Sequence, residues 1–200
     1  MLTYLYFGMT SFLISTLETC LANRLSDVFN FEPNSAAIYF AIFFSGAVTT
    51  SILCAFLSRE SDKSVIILIS LFVCSFSFLL IGPSSILHIP IYKGIVAVGL
   101  FLAGAYNPIA NYAVSQALKF TQSSVPEDEY GDLVNAASAL RPFASGIGLF
   151  FGPIVGGLLT QFLGFAHMSE IYFLLFLICA FIEMAVIIHH RRSPSNSQIN

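Results

Sequence analysis

Glu18 is the one charged residue among residues 1 to 23, inside an apolar run long enough to cross a membrane. A carboxylate facing lipid there would be costly, so Glu18 is expected to face protein or a water-filled cavity. Ser11, Ser15 and Glu18 follow i, i+4, i+7 spacing, which sets them on one side of a helix. Desolvation readies a carboxyl group in such a place to take up and release a proton, which is the chemistry of proton-coupled exchange. The plainer alternative is a structural pairing, with a backbone donor or with Arg24 at the rim.

A second polar stripe, Asn107, Asn111 and Ser115, falls at i, i+4, i+8, with Tyr106 and Pro108 beside its first member. Pro108 removes a backbone donor and frees a carbonyl one turn earlier, as in transporter helices that line water. The stripe predicts either a cavity wall or hydrogen-bonding glue between helices. Gly148, Gly152 and Gly156 recur every four residues beside Pro153, a small-residue groove where another helix can approach. Arg141 and Glu183 stand near a predicted boundary and are expected to snorkel outward, with a place inside a cavity mouth as the alternative for Arg141 and, less favoured, for Glu183.

The elements that must hold these residues follow from composition. In 200 residues, 56% are hydrophobic and 10% charged, with 21 Phe, and mean hydropathy is +0.83. A soluble chain usually carries about 25% charge, so a cytosolic enzyme is excluded. Nucleic acid is excluded too: the net charge is −3, and the eight Lys and Arg form no basic stretch. Cys20, Cys54, Cys74 and Cys179 lie in apolar runs without CxxC spacing, and the four His form no cluster, His88 being read as interfacial. Neither a metal nor a cofactor is predicted. No nucleophile, base and orienting group converge in a spacing that would make an enzyme.

Crossing the hydrocarbon takes about 20 apolar residues as a helix. The chain offers that length six times, at about residues 2–23, 35–57, 64–82, 94–118, 133–160 and 170–189. The first of these has no basic flank and no cleavage site, so it is read as a span rather than a removable signal. Turn chemistry separates the spans at Glu32-Pro33-Asn34, at Gly82-Pro83 with Pro90, in the acidic Val125-Pro126-Glu127-Asp128-Glu129 segment, and at Gly164 before His167. Residues 193–200 read as a disordered cytoplasmic tail. With both ends cytoplasmic, Arg59, Lys63, Lys119, Arg191 and Arg192 lie inside and Arg24 and Lys93 outside, the orientation that basic residues favour.

Six spans with cytoplasmic ends and a glycine-rich fifth helix resemble the C-terminal half of a major facilitator superfamily transporter. Leu80-Ile-Gly-Pro-Ser-Ser-Ile-Leu-His-Ile-Pro90 is similar to the Gly-Pro-x-x-x-Leu-His-Ile stretch of vesicular polyamine transporter-like proteins, relatives of the vesicular monoamine transporters. Phe151-Gly-Pro-Ile-Val-Gly-Gly-Leu-Leu159 and Leu163-Gly-Phe165 are similar to the Gly-Pro-x-x-Gly-Gly-x-Leu motif and its Gly-Phe ending. In that alignment Glu18 falls on the acidic residue of the family's seventh helix. The superfamily's gating loop is rearranged: Gly46 and Ala55 keep the nine-residue offset, but Arg59-Glu60 stand where Asp is expected and Asp62-Lys63 close the segment.

The resemblance implies an all-α membrane protein, one six-helix bundle built of two inverted three-helix repeats, with its substrate site facing a second bundle. That missing N-terminal half would come from the same gene product, a second copy or a separate chain. It further implies a proton-coupled antiporter for a cationic organic amine in a vesicular or other endomembrane. Glu18 would exchange proton and amine, with Ser11, Ser15, Tyr106, Asn107, Asn111 and Arg141 around the substrate. Composition and spacing alone fit an uncharged substrate as well. The alternative from another class is a transport-inactive membrane module that binds protein partners through the Gly148 groove and the acidic 126–132 segment.

Overall fold

The computed structural model describes residues 2–29, 33–56, 63–82, 92–122 and 127–192, apart from the side chains at 2, 3, 33–35, 63, 110, 113–122, 127–130, 132, 133 and 190–192. Six helices account for nearly all of them: α1 (Leu2–Phe29), α2 (Pro33–Phe56), α3 (Lys63–Ile81), α4 (Lys93–Gln122), α5 (Glu127–Leu163) and α6 (Phe165–Arg192). Helices are the form these sequences must take in lipid, where each backbone group has to be satisfied within its own segment. Five of the six are long and apolar enough to cross a membrane. In α4 the described side chains include a further apolar stretch, Lys93–Ile109.

Helix ends differ from the sequence expectation where local chemistry is permissive. Pro33 opens α2, a first-turn position that lacks an N–H without cost. The acidic segment is expected as a loop, yet Glu127, Asp128 and Glu129 form the first turn of α5. Between α5 and α6 the break is one residue, Gly164, whose φ of 83° only glycine adopts freely. Its N–H bonds Thr160 at 3.0 Å and its carbonyl accepts from Met168 at 3.1 Å, so it closes one helix and opens the next. His167 is therefore helical, and α6 begins five residues before the expected 170.

The core lies among α1, α3, α4 and α6. Phe78 stacks on Phe176 with centroids 5.7 Å apart and tilts against Tyr172 at 5.3 Å, and Tyr106 meets Phe176 edge-on at 5.5 Å. Leu71, Leu100 and Met168 belong to the same buried cluster as these rings. α1 packs on α5 and α4, α2 on α4, α3 on α4 and α6, and α5 on α6. Exchanging the first three helices for the last three turns the α1·α5 contact into α4·α2 and α1·α2 into α4·α5, and leaves α3·α6 and α1·α4 unchanged. The α3·α4 and α5·α6 contacts have no partner of similar extent under that exchange.

Candidate functional site

The serines of the α1 stripe are turned against α5. Ser11 shares a hydrogen bond with Ser145 at 2.8 Å, and Ser15 donates to the Leu149 carbonyl at 3.0 Å. Thr16 donates to the Gly152 carbonyl at 3.0 Å and lies 3.2 Å from the Tyr172 hydroxyl. α1 also fills the glycine groove. A Cβ at Gly148 would strike the Gly8 carbonyl oxygen, one at Gly152 would lie 2.7 Å from that of Phe12, and one at Gly156 would lie 2.5 Å from the Thr16 methyl. Ser11 and Ser15 are thus buried packing residues with occupied hydroxyls, which differs from the substrate lining expected of them. These α5 contacts run from Gly8 to Thr16, and Glu18, next along the same side, is exposed. Thr19, Asn23, Ser26 and Asp27 extend this exposed polar edge to the end of α1.

A second polar group gathers at the other end of that side. Arg141, exposed on α5, donates to Asn111 Oδ1 on α4, and its guanidinium lies 5.0 Å above the Phe7 ring on α1. Asn111 Nδ2 in turn donates to Asn107 Oδ1 at 2.8 Å and to the Asn107 carbonyl at 3.0 Å. The asparagines bond along their own helix, and Arg141 is what ties them to α5. Phe7 and Glu18 are eleven residues apart on one face, about 16 Å along the axis. Arg141, Asn107 and Asn111 are brought together, and Glu18 stands apart from them. The Ser115 side chain, Arg59, Glu60, Asp62, His88 and the 193–200 tail lie outside the described residues.

Two expectations are corrected in the core. Tyr106 is 2% exposed, turned away from the open face of α4, with its hydroxyl aimed at the Tyr6 carbonyl at 3.4 Å. Glu183 is 5% exposed rather than snorkelled outward, and the Tyr6 hydroxyl donates to its Oε2 at 2.9 Å. Since α6 continues to Arg192, Glu183 stands nine residues before its end, about 13 Å along the axis, and is turned into the bundle. Tyr6 is itself 3% exposed, and its carbonyl also accepts from Thr10 Oγ1 at 3.0 Å. Sequence spacing missed this cluster because its members lie 177 positions apart. Its one available signal was the acidic residue inside an apolar span.

The chain matches no protein-family model, and neither a curated protein nor a solved structure shows significant similarity to it.

Proposed function

We propose that this chain forms one six-helix half of a membrane transporter, working by proton-coupled antiport of a cationic organic amine against a second bundle supplied in cis or in trans. One observation carries the proposal: Glu18 is exposed within the expected 2–23 span, on a helix apolar enough to cross a bilayer. Lipid tails offer its carboxyl group no hydrogen bonds, so this edge of α1 calls for water or a facing protein surface. The partial exchange symmetry of the helix contacts supports the inverted-repeat architecture in which such an edge lines a central passage. The amine rests on the resemblance to vesicular amine transporters and on charge: the ammonium belongs at the Glu18 end, remote from the Arg141 guanidinium. An endomembrane location with cytoplasmic termini completes the proposal.

The test begins with water access. The four native cysteines are free and buried, so Glu18→Cys gives a single open thiol in cell membranes. Reaction with a charged, water-soluble maleimide is the expected result, and a position 18 that reacts only with lipid-soluble reagents would overturn the proposal. In proteoliposomes with an acid interior, Glu18→Gln should abolish uptake of radiolabelled spermidine. Uptake unchanged by that substitution would remove Glu18 from the mechanism.

The partner-binding module is the weaker function on these grounds. α1 occupies the Gly148 groove that it requires, and the acidic residues from Glu127 onward belong to α5.

A further inference from the structure

Glu183 is a carboxyl group with one hydrogen-bond donor, the neutral Tyr6 hydroxyl at 2.9 Å, and among the described residues it makes no ion pair. Tyr6 comes from α1, and Tyr106 of α4 and Cys74 of α3 belong to the same buried cluster as Tyr6. Cys179 lies one turn earlier on α6 with its thiol 3.6 Å from the Met9 sulfur. On α5, Arg141 stands over Phe7, beside Tyr6 in sequence, and is held by Asn111 rather than by Glu183. His189, six residues further along α6, is exposed. A buried charge without a cation is costly, and one neutral donor compensates little of that cost.

We propose that Glu183 is a proton-binding site in the core of the bundle, carrying a proton on Oε1 while Oε2 accepts the Tyr6 hydroxyl. Release of that proton leaves an anion that the present packing does not neutralise. Proton loss therefore favours a second arrangement in which α6 turns away from α1 and water reaches the carboxylate. Tyr6 is the hinge of this coupling: its hydroxyl holds α6, and its carbonyl faces Tyr106 on α4. The site is separate from the exposed Glu18 edge. It does not rest on the amine proposal, since a bundle that moves no amine would still carry it.

Protonation can be read directly on the whole chain in nanodiscs of zwitterionic lipid. Infrared spectra across a pH titration should show a protonated-carboxyl carbonyl band that is absent from Glu183→Gln. That variant keeps an acceptor for Tyr6, so it should remain folded. Dicyclohexylcarbodiimide, a lipid-soluble reagent that adds to protonated carboxyl groups, should modify the peptide containing Glu183, with mass spectrometry locating the adduct. Labelling should fall as the infrared band is lost. Tyr6→Phe should move the pH at which band and labelling disappear, and an unmoved profile would overturn the role given to Tyr6. Identical carbonyl spectra for the parent chain and Glu183→Gln at every pH would overturn the site itself, whatever the outcome for amine uptake.

Discussion

Hydroxyl groups that join helices do two kinds of work, distinguished by what each would leave behind if removed. Ser75 on α3 reaches the Phe173 carbonyl, which α6 already bonds within its own helix, so Ser75→Ala strands no partner. Interhelical hydrogen bonds in membranes contribute about 0.6 kcal/mol on average, and Ser75→Ala should cost no more than about 1 kcal/mol. Glu183→Ala instead leaves the buried Tyr6 hydroxyl without an acceptor and should cost about 1–3 kcal/mol. Reversible unfolding in mixed detergent micelles would rank the two, and equal costs would contradict the separation. The polar positions at 18, 107, 111 and 141 were legible as sequence, because a polar residue inside an apolar run stands out. The directions of Ser11, Ser15 and Tyr106 were not, since lipid and protein interior are both apolar and spacing alone cannot tell which side of a helix meets which. Phe162, at 76% exposure, illustrates the point: in a water-soluble protein it would be read as core.

At the level of elements, α5 is joined to α1 by a glycine edge rather than by interlocking large side chains. The α2·α4 crossing repeats the device reciprocally. A Cβ at Gly46 would collide with the Phe101 carbonyl oxygen, and one at Gly104 with that of Phe43, each oxygen three residues before the opposite glycine. Gly152→Ala and Gly104→Ala should therefore separate their helix pairs at a cost of about 1–3 kcal/mol each, as overpacking does. Gly157 provides the control, having nothing within 4 Å of its notional Cβ. Gly157→Ala should be neutral or stabilising by up to about 1 kcal/mol through helix propensity. Unfolding midpoints of the three variants would check this, and a destabilised Gly157→Ala would show that backbone approach is not the cause. The four-residue glycine repeat was readable before the structure, as a packing groove; that α1 fills it was not, because a groove does not specify its occupant. Helix ends were the least legible elements. Gly164 alone divides two spans that the sequence suggested were about nine residues apart, as one left-handed residue is enough to reverse a chain.

For the whole molecule, the decisive feature is that the first three helices and the last three do not form separate bundles. The principal contacts, α1·α5, α2·α4, α3·α4 and α3·α6, all join one triplet to the other. Composition made the membrane class and helix number evident, but this interleaving depends on contacts between distant segments and leaves no local trace. It has a consequence for assembly. Cutting the chain within residues 83–91, between α3 and α4, should yield two fragments that each expose the surfaces meant for the other. Expressed alone, neither should survive detergent extraction as a monodisperse species; expressed together, they should co-purify, because the glycine crossings and the aromatic core are completed only between them. Gly152→Ala in the second fragment should then weaken recovery of the pair, since α1 and α5 would lie on different chains. Two fragments that each remain monodisperse in isolation would mean that the triplets are autonomous, and that exchange of contacts between them does not hold the bundle together.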